Sequence, residues 1–220
     1  MNNNKLPTRS SSTEVQEFLS KVARTPKVVT SGQTGRIIFA MDATASREAS
    51  WDQASNLQGE MFQETASKGG LEIQLVYFRG FGEFRVSSWT RKSSDLLSLM
   101  TEVRCRAGET QIKKVLRHAL TETKKQSVDA LIFIGDNVEE GIDSLGATAG
   151  ELGLLGVPTF LFQEGQNQIA EFGFREIAKL TNGAYCRLDV NSAKALKELL
   201  RAVANYAVGG HLALEEMAKK

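Results

Sequence analysis

Three short segments carry side chains suited to holding a hard cation. In the run DATAS, Asp42, Thr44 and Ser46 alternate, so one carboxylate and two hydroxyls point the same way where the backbone is extended. Asp136 closes the run LIFIGD with a second carboxylate, and Thr110 ends the stretch AGET, just ahead of an amphipathic segment. Five oxygen donors without His or Cys select a hard divalent ion. One or two carboxylates, with hydroxyls and waters in the other positions, suit Mg²⁺ first and Mn²⁺ second. Because hydroxyls are neutral, an ion held this way keeps affinity for one more anionic oxygen, such as the Asp or Glu carboxylate of a partner protein.

The donors meet only if the elements around them bring them to one place. RIIFAM, with two adjacent Ile, suits a strand buried on both faces and delivers Asp42 at its end. LEIQLVYF is a second strand. The Gly-interrupted RGFGEF reads as a hairpin leading into FRVSSW, a third strand antiparallel at the sheet edge. DALIFIGD, VPTFLF and AYCRL supply the fourth, fifth and sixth strands. Between them lie helical periods. Val15, Phe18, Leu19 and Val22 mark a leading helix, and Trp51, Ala54, Leu57 and Met61 mark one running from Ser46 to the pair Gly69-Gly70. Leu96, Leu97, Met100 and Val103 give a short helix. Ile112, Val115, Leu116, Ala119 and Leu120 give a one-face pattern opened by Thr110, which also stands where an N-cap belongs. A small-residue helix spans about 144–155; Ile169, Phe172, Ile177 and Leu180 form a stripe stopped by Asn182-Gly183; and Leu196, Leu199, Leu200 and Val203 face one side of a last helix.

Strands alternating with helices imply an α/β fold: a three-layer, doubly wound, mainly parallel sheet of about six strands with one antiparallel edge strand. In such sheets ligands bind beyond the carboxyl ends of the strands, which is where Asp42 and Asp136 fall. The expected organisation is a flexible tail over 1–11, a leading helix and linker over 12–30, one domain over 31–210 and a C-terminal tail over 211–220.

Charge excludes some partners. Twenty-seven basic against 26 acidic residues leave a net charge of +1, too little to grip nucleic acid or anionic lipid over distance. Lys113-Lys114 and Lys124-Lys125 read as a solvated helix face. Cys105 and Cys186 lack metal-ribbon or redox spacing and are expected to be reduced. The polar start MNNNKLPTRSSS has no apolar core and no run is long enough to span a bilayer, so a cytoplasmic location is expected.

At the donor residues the sequence resembles the von Willebrand A family, whose metal-ion-dependent adhesion site is built from a D-x-S-x-S segment, a Thr in a Gly-rich loop and an Asp after the fourth strand. The resemblance spans about residues 36–208. FAMDATAS is similar to the first motif, with Asp42, Thr44 and Ser46 at its ligand positions; RAGETQIKKVLRHAL to the second, with Thr110; and LIFIGDN to the third, with Asp136. AKLTNGAYCRL is similar to the family's late helix, Gly turn and strand. The resemblance implies a Rossmann-like sandwich that binds Mg²⁺ or Mn²⁺, is not an enzyme, and recruits protein ligands through a carboxylate. Three residues depart from the pattern. Thr44 replaces Ser and adds a methyl group, Glu109 replaces Gly and brings a charge able to repel a ligand carboxylate or compete for the ion, and Asn137 replaces Gly.

Two other readings stand beside this one. A haloacid dehalogenase-like phosphotransferase also places an Asp after its first strand, which would make Asp42 a nucleophile, but Thr44 occupies the position where that class needs a second acid. A metal-free scaffold of the same fold would bind partners through ordinary surface. Neither SGQTG nor RGFGEF has a nucleotide-binding fingerprint, and no G-x-S-x-G elbow surrounds Ser46. His118, beside an apolar stripe, is expected to be packed or at the surface rather than a ligand.

Overall fold

The computed structural model describes residues 12–26, 34–47, 70–188 and 193–218. The expected tail over 1–11 and the helix carrying Trp51, Ala54, Leu57 and Met61 lie outside them, as do residues 27–30 of the linker. Among the described residues the order is α1 (Ser12–Arg24), β1 (Gly35–Asp42), a 3₁₀ turn (Ala45–Arg47), β2 (Leu71–Arg79), β3 (Glu83–Val86), α2 (Ser93–Thr101), α3 (Ile112–Lys125), β4 (Ala130–Gly135), α4 (Ile142–Leu154), β5 (Thr159–Glu164), α5 (Gln168–Leu180), β6 (Ala184–Leu188) and α6 (Ala193–Ala218).

The six strands form one sheet in the order β3-β2-β1-β4-β5-β6. All neighbours are parallel except β2 and β3, which pair antiparallel from Val76↔Val86 to Arg79↔Glu83. β1 and β4 are buried along their whole length, as parallel strands covered on both faces require. Alternation within β1 sorts its side chains. Ile37, Phe39 and Met41 join one core with residues of α1, α2 and α6; Ile38 and Ala40 join the other with residues of α3, α4 and α5. The result is three layers, with three of the described helices on each face. Phe18 ties α1 to the sheet, its ring centroid 5.8 Å from that of Phe160 and 5.1 Å from that of Phe162; burying one such ring is worth about 2–3 kcal/mol.

Several sequence expectations are corrected. The third strand stops at Val86 rather than running through Trp89, and only Thr90 returns to bridge Ile73. Of the stripe expected on α5, Ile177 faces the core, together with Ala170, Phe174 and Ala178, but Ile169 and Phe172 are 63% and 58% exposed. Two apolar faces compete on this helix, and packing against α4 and the sheet selects the one with the small residues. Leu97, read with the core of α2, is exposed as well. At the end of α5 it is Asn182, not Gly183, that takes the left-handed conformation, with φ 53°. Gly183 is needed for a different reason, because a Cβ there would lie 1.9 Å from the Thr159 carbonyl oxygen. α6 is helical to Ala218 and so includes residues 211–218 of the C-terminal tail. No described helix is long and apolar enough to cross a membrane.

Candidate metal centre

The sheet order reverses between β1 and its two neighbours, β2 and β4, so the crevice of this fold opens beyond the carboxyl ends of β1 and β4. Asp42 is the last residue of β1, and Asp136 follows the last residue of β4. The two ends lie side by side: a Cβ built on Gly135 falls 3.6 Å from the Asp42 Cβ. Beyond them is a cavity of about 510 Å³, whose walls include Thr44, Ser46, Gly108, Thr110, Asp136 and Asn137.

The chain turns sharply after β1. The Thr44 N–H donates to Asp42 Oδ1 at 2.7 Å, and the Thr44 and Ser46 hydroxyls lie 3.2 Å apart. Alternation in DATAS therefore does bring these hydroxyls together, through a 3₁₀ turn rather than extended chain. Asp42 has no exposed surface. Its Oδ2 has no hydrogen-bond partner, and neither does the buried Asp136 Oδ1. Leaving one buried acceptor unsatisfied costs about 1–3 kcal/mol, and more for a charged group. The carboxyl of Asp42 is pushed up to about 6, mainly by burial and further by the charge of Asp136, against the hydrogen bonds from Thr44 and the cation of Arg47.

Thr110 does not take the N-cap position that its place in the sequence also allowed. The N-cap of α3 is Gln111, with no side-chain cap, and the Thr110 hydroxyl does not cap the helix. Instead it donates to Glu140 Oε2 at 2.5 Å and accepts the Glu139 N–H at 3.0 Å, while the Thr110 N–H donates to Glu139 Oε2 at 2.7 Å. Glu140 Oε1 also accepts the Lys113 N–H at 3.0 Å, and the Lys113 ammonium reaches the Ser144 hydroxyl, so Lys113 is not simply solvated. These acids were not singled out from sequence. One local signal points to them: α3 has no acidic residue in its own first turn, and a helix N-terminus favours a carboxylate from elsewhere.

Arg47, the fully buried last residue of the 3₁₀ turn, pairs with Glu164 at the end of β5 at 2.5 Å. No periodicity signals a buried Arg. Asn137 does not use a left-handed backbone; its Oδ1 accepts Asn167 Nδ2 at 2.7 Å, and Asn167 Oδ1 in turn caps α5. Glu109 is exposed. His118 is half-buried, 2.7 Å from Gln74 Oε1 and far in role from any donor set. Among the described residues no three His, Cys, Asp or Glu side chains converge on a point, so a cation here must draw on hydroxyls as well as carboxylates. The orphaned oxygens of Asp42 and Asp136 fit such an ion.

No family model and no curated protein matches the sequence. Solved structures do match. An aerotolerance-related membrane protein from Bacteroides fragilis, carrying multiple mutations to serine, superposes with a TM-score of 0.61 at 19% identity over 77% of this chain and 98% of its own. The SpRpn10 VWA domain gives 0.60 at 14% identity over 81% and 98%. Proximal thread matrix protein 1 from the mussel byssus, with a zinc-occupied MIDAS motif, gives 0.64 at 17% identity, over 80% of this chain and 47% of its own. The chain has the von Willebrand A-type fold.

Proposed function

We propose that the chain is a divalent-metal-dependent protein-binding module. Asp42, Thr44, Ser46, Thr110 and Asp136 would hold Mg²⁺, or Mn²⁺, with the hydroxyls as neutral donors and the carboxylates acting directly or through water. The bound ion would supply a Lewis-acidic position that accepts an Asp or Glu carboxylate of a partner protein. The observation that carries the reading is the pair of buried, unpartnered carboxylate oxygens, Asp42 Oδ2 and Asp136 Oδ1, at adjacent strand ends. Two unsatisfied acidic oxygens at neighbouring strand ends are costly unless a cation partners them. The zinc-occupied MIDAS motif of the mussel protein supports the reading by fold. Thr44 stands where a phosphotransferase of that class needs its second acid, which disfavours the phosphotransferase alternative.

The test is calorimetric titration of Mg²⁺ and Mn²⁺ into chelator-treated protein, with Asp42→Ala alongside, followed by capture of partners with and without chelator. Saturable binding that Asp42→Ala removes, and partners lost in chelator, support the proposal. No binding heat and no thermal stabilisation by either ion would leave a metal-free scaffold as the better reading.

A further inference from the structure

We infer that Glu140 is a positioning residue for the cation site, acting through the hydroxyl of Thr110; the inference rests on the metal-binding reading above. A threonine hydroxyl has one proton to donate and two lone pairs to accept with. In Thr110 the proton goes to Glu140 Oε2 at 2.5 Å, and one lone pair receives the Glu139 N–H at 3.0 Å. One lone pair remains. Thr110 is 7% exposed and lines the cavity with Thr44, Ser46 and Asp136, so the cavity is where that lone pair can find a cation.

The acid is itself held. Glu140 Oε1 accepts the Lys113 N–H at 3.0 Å in the first turn of α3, and the neighbouring Glu139 carboxylate accepts the Thr110 N–H at 2.7 Å. The loop after β4, which carries Asp136, and the segment before α3, which carries Thr110, are thereby locked together. A carboxylate that takes the proton of a ligating group fixes its orientation and makes its oxygen a better donor, and loss of such a partner commonly weakens metal binding about 10–100-fold.

Mn²⁺ affinity is measured by the electron paramagnetic resonance signal of free Mn²⁺ in four proteins: wild type, Glu140→Ala, Thr110→Val and the double variant. Melting in chelator is followed in each. Glu140→Ala is expected to weaken Mn²⁺ binding about tenfold, while in the Thr110→Val background the same change has less than about a twofold effect, because the residue it acts through is gone. Glu140→Gln, which keeps an acceptor for the hydroxyl, is expected to recover part of the affinity. A purely structural role would lower the melting temperature and leave the coupling at zero. Unchanged or tighter binding in Glu140→Ala, or equal effects in both backgrounds, overturns the inference while leaving the metal site standing. Absence of Mn²⁺ binding in wild type overturns both.

Discussion

Replacing Asp42 by Asn should stabilise the metal-free protein at neutral pH and destabilise the metal-loaded one. The carboxyl of Asp42 is raised from 3.8 to about 6, first by burial and then by Asp136, with Thr44 and Arg47 opposing. At 1.36 kcal/mol per pH unit this corresponds to about 3 kcal/mol. The folded state binds the Asp42 proton more tightly than the unfolded chain does. The group's favourable contribution is therefore fully present below about pH 4, and is lost as pH rises through about 6. Above that window the native protein carries a buried charge with one unpartnered oxygen. Asn keeps an acceptor for the Thr44 N–H and has no charge to bury. Its amide must find an acceptor, which takes back about 1 kcal/mol, so the net gain in chelator at pH 7.5 should be about 1–3 kcal/mol. Urea unfolding of both proteins from pH 4.5 to 8 measures it, and the difference between them removes the contributions of other titrating groups. With Mg²⁺ at about 1,000 times its dissociation constant, wild type gains about 4.1 kcal/mol that the variant lacks, more than the variant's advantage, and the order reverses. A variant less stable than wild type in chelator at pH 7.5, with a pH-independent difference, would refute the reasoning.

Other outcomes follow from the packing. Gly108→Ala places a Cβ 2.1 Å from the Gly80 carbonyl oxygen; the loop must move off the β2–β3 hairpin, and both a loss of about 1–3 kcal/mol and weaker Mn²⁺ binding are expected, read by urea unfolding and titration. Glu164→Ala removes an ion-pair partner of fully buried Arg47 and should cost about 3 kcal/mol, seen as a lower denaturation midpoint. On α5, Phe172→Ser should change stability by less than about 0.5 kcal/mol, whereas Phe174→Ala should cost about 3–5 kcal/mol; equal effects in thermal melts would mean the helix phase is wrong.

The layers of this fold are legible in the sequence where burial leaves one pattern available. β1 and β4 are continuous apolar runs because both faces are covered, and α3 has a single apolar stripe, so each reads directly. α5 has two candidate stripes, and local periodicity cannot say which one meets α4. The ends of central strands are where a doubly wound sheet gathers side chains, which makes Asp42 and Asp136 visible as neighbours before any coordinates. The partners of Thr110 are not visible that way. Glu139 and Glu140 reach it across about thirty residues of sequence, and only the tertiary arrangement converts two loop acids into acceptors at the start of α3. Arg47 is similar: no local pattern marks it as buried, and its ion-pair partner Glu164 arrives from β5.

In the proposed site the oxygens of Asp42, Thr44, Ser46, Thr110 and Asp136 surround one cation. Crystals grown with Mn²⁺ and measured near the manganese absorption edge test it most directly. One anomalous peak between the β1 turn and Asp136, within about 2.0–2.4 Å of at least three of these oxygens or their bound waters, is the expected result. Well-ordered density for all five side chains with no anomalous peak among them would contradict it.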